Sequence, residues 1–269
     1  MIEFNNIKKS FGDKIVLNDV SHVMQTGLAN LIIGTSGSGK TVLQKCLVGL
    51  LEPDLGEISY DGRSFTEMDE EARKELRQQI GMLFQGSALF DSMTVEQNIM
   101  FPLDMFTKKS FSEKLKRVNE VLSRVNLTDV NRKYPAELSG GMKKRVGIGR
   151  AIVLNPKYLF CDEPNSGLDP QTSMVIDKLI LDITREFNMT TVINTHDMNS
   201  VMEIGENILY LFDGRKEWSG NNKEIIFSKN ERLNAFIFAS EFLQDAKDMR
   251  MLEARGKISN DRDMDEMLK

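Results

Sequence analysis

Residues 34–41 of this chain, Gly-Thr-Ser-Gly-Ser-Gly-Lys-Thr, fit the pattern G-x-x-x-x-G-K-[ST] of a phosphate-binding loop. The apolar stretch 28–33 predicts a buried strand before the loop, and residues 41–50 predict a helix after it. Glycines let the backbone turn tightly, so that successive N–H groups point at phosphate oxygens, and the helix N-terminus adds partial positive charge. A glycine turn that occurs by chance would lack these flanks. The loop therefore predicts that the chain folds around a bound phosphate.

The loop offers both side-chain and backbone ligands. Lys40 would reach the β and γ phosphates of a nucleotide, and the Thr41 hydroxyl would ligate Mg²⁺. The other candidate residues would bind phosphate as parts of the loop, and they are Gly34, Ser36, Gly37, Ser38 and Gly39.

The composition excludes few function classes. A formal net charge of −5 does not favour a nucleic-acid-binding protein, which usually carries a basic face, although a local basic patch remains open. Cys46 and Cys161 lack metal-type spacing and predict buried, reduced thiols in a cytosolic protein. No run of about 18 apolar residues occurs, so no transmembrane helix is expected, and the N-terminus lacks the pattern of a signal peptide. Work at a membrane would therefore need a partner protein.

Five apolar stretches alternate with helical segments, at 28–33, 80–84, 158–161, 191–194 and 208–212. This alternation predicts an α/β fold with a mostly parallel sheet. Two further strands are predicted at 2–7 and 14–20, separated by a turn at Gly12 and Asp13. Ligands of parallel sheets bind at the carboxyl ends of the strands, so polar residues that directly follow a strand are the candidate site.

Polar side chains follow three of the five strands. Gln85 is either a plain turn residue or a neutral ligand for Mg²⁺ or water. Asp162 ends its strand where it can hold Mg²⁺, and Glu163 can polarise an attacking water. His196 could donate a hydrogen bond to a γ-phosphate. One site would thus collect Lys40, Thr41, Gln85, Asp162, Glu163 and His196.

Two features stay ambiguous at this point. Phe11 lies shortly before the loop and either stacks on an adenine ring or packs in the core. Ser139, Gly140 and Gly141 precede a helix predicted at 143–154 and form either its N-cap or a second phosphate cradle. Taken alone, these residues favour the N-cap. A second cradle would serve the γ-phosphate held by another copy of the chain.

Residues 86–157 predict an inserted helical subdomain in which Pro102 breaks the first helix. Its many Met and Phe residues are more often core, but some could line a groove for a partner helix. Residues 232–252 predict a further helix whose apolar stripe packs either on another subunit or on its own domain. The polar stretch from Gly256 onward is expected to be mobile unless a partner orders it.

Taken in order, these motifs resemble those of the ABC-transporter ATPase family over about residues 1–225. Gly34–Thr41 is similar to the Walker A motif, and the other five are Gln85 (Q-loop), Leu138–Met142 (signature), Tyr158–Glu163 (Walker B), Ser166–Asp169 (D-loop) and His196 (H-switch). The resemblance implies a RecA-like core with an antiparallel β edge. It also implies a nucleotide-binding domain at 1–240 and a C-terminal extension at 241–269.

The same resemblance implies cofactors and partners. ATP and Mg²⁺ would lie between two copies of the chain arranged head to tail, with Lys40, Gln85, Glu163 and His196 acting in hydrolysis. The other copy would contact this ATP through Ser139, Gly140, Gly141 and Asp169. Transmembrane permease subunits would take up the motion, which places the chain at the cytoplasmic face of the inner membrane.

Within the family, three stretches are similar to the ATP-binding subunits of Mla/Mce lipid transporters: 83–90, 98–103 and 138–142. The last ends in Met, where most importers have Gln. The sequence departs from the family at Asn165, where Thr is usual, and at Phe11, where Tyr is common. The resemblance predicts transport of phospholipids or related lipids, with lipid-binding transporter components as indirect partners.

Three alternatives compete with this hypothesis. The chain could power an importer of amino acids or metals. A soluble ABC protein acting on nucleic acid or the ribosome is disfavoured, because such proteins usually carry two nucleotide domains or long coiled coils. A degenerate, purely structural subunit is disfavoured because Lys40, Glu163 and His196 are all present.

Overall fold

The structure, a computed structural model, describes residues 1–239, 244–245 and 247–251. Its strands are β1 (Ile2–Phe11), β2 (Lys14–Met24), β3 (Ala29–Ile33), β4 (Leu55–Tyr60), β5 (Arg63–Ser64), β6 (Ile80–Leu83), β7 (Tyr158–Asp162), β8 (Thr190–Thr195), β9 (Asn207–Phe212) and β10 (Arg215–Gly220). Its α-helices are α1 (Lys40–Leu47), α2 (Glu70–Gln78), α3 (Val95–Phe106), α4 (Phe111–Arg124), α5 (Gly140–Ile152), α6 (Pro170–Glu186), α7 (Met198–Ile204) and α8 (Glu231–Ile237). Short 3-10 turns cover Pro135–Glu137 and Ile225–Phe227.

The main sheet has six strands in the order β10-β9-β3-β8-β7-β6. The five predicted apolar stretches form its parallel strands, and β10 pairs antiparallel with β9 at one edge. A second, antiparallel sheet has the order β2-β1-β4-β5. The predicted fold class, α/β with a mostly parallel sheet and an antiparallel edge, is confirmed.

Apolar side chains pack on both faces of the parallel sheet. Successive residues of a strand point to opposite faces. In β3, Leu31 and Ile33 therefore join one hydrophobic core, whereas Ile32 joins the other. Because both faces are covered, the parallel strands are continuous apolar runs, which is why they could be identified from sequence.

Helices α3, α4 and α5 pack against one another in the region predicted as a helical subdomain. Thr94 and Ser110 begin α3 and α4 with capping boxes. The prediction that Pro102 breaks the first helix is wrong, because α3 continues through it to Phe106. A proline inside a helix costs about 3 kcal/mol. Burial of the α3 side chains at Val95, Ile99, Met100 and Leu103 offsets this cost.

The helix predicted at 232–252 is interrupted. Helix α8 ends at Ile237, and Phe238 and Ala239 are not helical. Leu233, Ile237 and Phe238 are buried in the main core, and the Phe236 ring stacks on Tyr210 with centroids 5.3 Å apart. This part of the apolar stripe therefore packs on its own domain. Leu243 and the tail from Gly256 lie outside the described residues.

Cys46 and Cys161 are both free and buried, as predicted. Burial raises the pKa of Cys46 to about 11 and raises that of Cys161 further, so both thiols stay protonated. In the ranges that the structure describes, none of the helices combines the length and the apolar character that crossing a membrane requires.

Candidate active site

The sheet topology brings the sequence-predicted residues together at the carboxyl ends of the parallel strands, which we call the rim. Strands β3, β8, β7 and β6 are neighbours and run parallel, so their carboxyl ends are adjacent. From these four ends emerge the loop 34–41, His196, the acids Asp162 and Glu163, and Gln85. Residues separated by more than a hundred positions in the chain therefore lie along one rim.

The loop 34–41 has the backbone of an anion cradle. Gly39 is the N-cap of α1, with a left-handed φ of 106°, and no side chain caps this helix. The first N–H groups of α1 are therefore open to an anion. A Cβ on Gly34 would lie 2.4 Å from the Leu211 carbonyl, so only glycine fits there. The Ser38 hydroxyl is buried without a hydrogen-bond partner, which fits a loop shaped for a further ligand.

Lys40 lies in the same loop with its ammonium group at the rim. Its Nζ donates to the carbonyls of Gly34 at 2.7 Å and Thr35 at 3.1 Å. Burial lowers the pKa of Lys40, and the nearby carboxylates of Glu163 and Asp162 raise it. The structure thus places the lysine of the loop within electrostatic reach of both acids.

Glu163 and His196 contact each other across neighbouring strands. The Nδ1 atom of His196 lies 2.8 Å from Oε2 of Glu163, and the imidazole is 64% exposed while the carboxylate is 15% exposed. Glu163 has a left-handed φ of 48°, a conformation that costs energy for a residue other than glycine. Its N–H donates to the Asn194 carbonyl at 2.9 Å, which anchors the strained residue to β8.

Gln85 is exposed at the end of β6, and its Nε2 donates to the Ser166 hydroxyl at 3.3 Å. The loop after it is also strained, because Ser87 and Ala88 both have positive φ. The Arg150 guanidinium on α5 donates to both of their carbonyls, each at 2.7 Å. The helical region is therefore bonded directly to the segment that carries Gln85.

The side chains at the rim fit Mg²⁺ only together with a nucleotide. Thr41 is exposed and Asp162 is half-buried, with Asp162 Oδ1 accepting from Asn194 Nδ2 at 3.2 Å. Within the described ranges, no three His, Cys, Asp or Glu residues cluster as a metal site. Mg²⁺ is typically held by one or two carboxylates plus substrate phosphates and water, so this donor set suits it.

Sequence reasoning missed Lys144 on α5. Its buried Nζ donates to the carbonyls of Gln85 and Glu163, which ties the two strand ends together, and burial lowers the pKa of Lys144. The available signal was a charged residue in helical phase with buried Gly141 and Ile148, since positions three and four apart share a helix face.

Helix α5 starts at the segment 139–141, in which Ser139 and Gly140 are exposed and Gly141 is buried. Ser139 Oγ accepts from the Met142 N–H at 3.3 Å, so the serine is an N-cap. Gly141 packs closely on Thr172, where an added Cβ would lie 2.6 Å from Cγ2. Asp169 caps α6 beside it, and hydrogen bonds from Thr172 lower the pKa of Asp169. Ser139, Gly140 and Asp169 are all exposed and can meet another molecule.

Phe11 ends β1 and is 49% exposed, so the alternative that it packs in the core is excluded. The adjoining strand β2 touches the loop, because a Cβ on Gly39 would lie 2.8 Å from Leu17 Cδ2 and 3.0 Å from the Val16 carbonyl. The β1–β2 hairpin, which carries the exposed Phe11 ring, therefore packs against the loop through β2.

Comparison with known proteins gives matches over most of the chain. A family model described as ABC transporter matches residues 17–166. The probable ribonucleotide transport ATP-binding protein mkl of Mycobacterium tuberculosis is 39% identical over 236 residues, which are 88% of this chain and span only 66% of the length of mkl. The methionine import ATP-binding protein MetN of Campylobacter jejuni is 38% identical over 261 residues, covering 91% of this chain and 78% of MetN.

The solved structures agree with the sequence matches. The dimeric ATP-binding cassette MJ0796, in a post-hydrolysis state bound to ADP and Pi, has a TM-score of 0.75 to this chain. The two are 31% identical, and the match covers 82% of this chain and 99% of MJ0796. The chain therefore belongs to the ABC transporter family and carries the fold of its ATP-binding cassette.

Proposed function

We propose that this chain hydrolyses ATP with Mg²⁺ as the ATPase subunit of a membrane transporter. The observation that carries the proposal is the Glu163–His196 pair, 2.8 Å apart, at the same rim as Lys40 and Asp162. The loop 34–41 would hold the phosphates, and Thr41, Gln85 and Asp162 would hold Mg²⁺. Exposed Phe11 would stack on the adenine ring.

The side chains suit an in-line attack of water on the γ-phosphate. Glu163 would orient and polarise the water, Lys40 would stabilise charge on the β and γ phosphates, and His196 would donate a hydrogen bond to the γ-phosphate. In this structure the Nδ1 atom of His196 donates to Glu163. The same N–H would donate to the γ-phosphate once the nucleotide is bound, since a ring with one N–H cannot serve both acceptors at once. Mg²⁺, when bound, would neutralise charge on the phosphates.

The segment 139–141 would act as a second phosphate cradle in a dimer. Ser139, Gly140, Gly141 and Asp169 would contact ATP held by another copy of the chain, in a head-to-tail pair. MJ0796, which this chain resembles along most of its length, is dimeric with ADP and Pi bound. ATP would close such a pair and hydrolysis would reopen it.

Phosphate release is expected to require Mg²⁺, because the ion would neutralise charge on the phosphates. Thr41, Gln85 and Asp162 supply too few ligands to hold it tightly without the triphosphate, so a chelator should remove it. Adding EDTA to the purified chain should abolish release of phosphate from ATP, and excess Mg²⁺ should restore it. Circular dichroism and the melting temperature should not change, since no structural metal is invoked. Phosphate release that persists in EDTA would contradict the proposal.

A groove beside the helical region would dock the permease. It has a volume of about 430 Å³. Its aromatic and proline lining includes Phe84, Phe90, Phe101, Pro102 and Phe106. We infer that a short apolar helix of a transmembrane permease seats here, which would hold the chain at the cytoplasmic face of the inner membrane. Arg150, which bonds the Gln85 loop, also lines the groove and would connect permease to nucleotide.

The substrate that we propose is a phospholipid or a related lipid, with lipid-binding components of the transporter as indirect partners. Two of the three stretches similar to lipid-transport ATPases, 83–90 and 98–103, contribute walls of this groove. Asn98 joins them, because its side chain exchanges hydrogen bonds with the backbone of Phe90. The amino-acid importer remains the second candidate, since MetN is 38% identical.

Co-purification and mass spectrometry test the permease and the substrate together. The tagged chain is expected to capture a membrane permease with bound phospholipid, and Phe101→Asp should lose that permease because a charge would enter the groove. Phe111→Asp is the matched control, since Phe111 is 64% exposed and outside the groove. Methionine or another amino acid in the captured complex would favour the importer instead.

A further inference from the structure

Three buried polar side chains form a closed triangle behind the rim. Asn165, Asp177 and Ser200 are 8%, 4% and 1% exposed. They come from different elements: the loop after β7, the helix α6 and the helix α7. Asn165 lies two residues after Glu163, and Ser200 lies four residues after His196. The triangle therefore joins the two segments that deliver the proposed hydrolytic pair.

Every side of the triangle is a hydrogen bond. Asn165 Nδ2 donates to Asp177 Oδ1 at 2.8 Å and to Ser200 Oγ at 2.9 Å, and Ser200 Oγ donates to Asp177 Oδ2 at 2.7 Å. The amide thus uses both of its protons. A threonine, which is usual at position 165 in the family, has one hydroxyl proton and could donate to only one of the two partners. The departure at Asn165 is what closes the triangle.

The buried carboxylate of Asp177 lowers the stability of the folded chain. Burial, together with the smaller effects of Asp197 and Glu203, raises the pKa of Asp177 to about 6, despite the hydrogen bonds from Ser200 and Asn165. Lys247 and Arg250 line the same cavity as Asp177, but in the described ranges no basic side chain forms an ion pair with it. A buried, unpaired charge that lowers stability is expected where it serves a function.

We propose that Asp177 is a positioning residue that fixes the distance between Glu163 and His196. The inference rests on the proposed ATPase function. Glu163 holds a strained left-handed backbone, which persists only when its surroundings constrain it. Asp177 bonds the loop that follows Glu163 and the helix that follows His196, so the two cannot shift independently. Loss of the triangle should misplace the pair without altering the phosphate loop.

Steady-state kinetics and equilibrium ATP binding test this inference on Asn165→Thr and Ser200→Ala. Each variant should lower kcat by about tenfold, because small misplacements at a reacting centre are costly. Affinity for ATP should stay within about twofold, because Lys40 and the loop 34–41 are untouched. The double variant should lose less than the product of the single losses, since both break one network.

Thr184→Val is the matched control. Thr184 is also fully buried on α6, and its hydroxyl bonds to the Ile180 carbonyl at 2.7 Å and to Thr191 Oγ1 at 2.7 Å. This change should lower the melting temperature and leave kcat unchanged. Variants of the triangle that lose stability as Thr184→Val does, and keep wild-type kcat, would overturn the inference. A wild-type chain without Mg²⁺-dependent hydrolysis would instead overturn the proposed function.

Asp177→Asn adds a pH readout that does not depend on catalysis. Because the folded pKa of about 6 is above the usual 3.8, the protonated carboxyl stabilises the fold fully below pH 3.8, and this stability is lost as the pH rises through 6. The variant lacks this titration. The melting temperature of the wild type minus that of the variant should therefore fall between about pH 4 and about pH 7. Parallel curves would show that Asp177 is not held as a buried carboxylate by Asn165 and Ser200, and would overturn the inference.

Discussion

Glu163→Gln is expected to reduce ATP turnover by about 100-fold or more, which is the usual contribution of a general base. Glutamine has nearly the same volume, and its Oε1 can still accept the hydrogen bond that His196 Nδ1 makes to Glu163. It cannot take a proton from the attacking water. Affinity for ATP should be retained, because the loop 34–41 and Lys40 are unchanged. Phosphate release and nucleotide retention after gel filtration measure the two effects.

Glu186→Gln is the control for this prediction. This substitution also replaces a carboxylate by an amide. Glu186, however, lies on the surface in an ion pair with Arg124, and exposed ion pairs contribute little to stability. Its turnover should match the wild type. If Glu163→Gln also hydrolyses ATP at the wild-type rate, Glu163 is not the catalytic carboxylate, and the chemistry proposed for the rim fails with it.

The sequence was sufficient to predict the parallel sheet and which loops meet at its rim. Strands buried on both faces leave continuous apolar runs, and a parallel sheet places all their carboxyl ends on one side. Gln85, Asp162 and His196 could therefore be assigned to one site from the order of strands and loops along the chain. The prediction relied on the regular alternation of strands and helices, so it needed no knowledge of individual contacts.

Contacts between distant side chains could not be predicted in this way. The helical phase of Lys144 places it on the buried face of α5 but does not name its partners, the carbonyls of Gln85 and Glu163. The triangle formed by Asn165, Asp177 and Ser200 has no local pattern that separates these residues from surface residues.

The prediction that Pro102 ends the helix considered only the free-energy cost of a proline inside a helix. It left out the burial of apolar α3 side chains in the core, which offsets that cost. The helix at 232–252 was predicted as continuous, but the chain bends at Phe238, which is buried in the main core, and this burial is not visible in the local pattern.

Ser139→Asp is expected to weaken ATP-dependent dimerisation of the chain strongly, while leaving the monomer as stable as before. Aspartate is as good an N-cap as serine and complements the N-terminus of α5, so the helix should start at the same residue. The added charge would face the γ-phosphate held by the other copy, and like charges at an interface cost several kcal/mol. In the Glu163→Gln background, where ATP should trap the dimer, sedimentation should show a dimer at least about 100-fold weaker.

Thr94→Asp is the control that separates charge from position. Thr94 caps α3 as Ser139 caps α5, by accepting from a backbone N–H at 3.3 Å, and the third residue of each helix is uncharged. This change adds the same charge at an equivalent cap and should dimerise normally. If Ser139→Asp dimerises equally well, the serine and its glycines only cap a helix, as they would be interpreted in isolation. The proposal that 139–141 binds phosphate between two copies would then be wrong, even if the residues at the rim hydrolyse ATP.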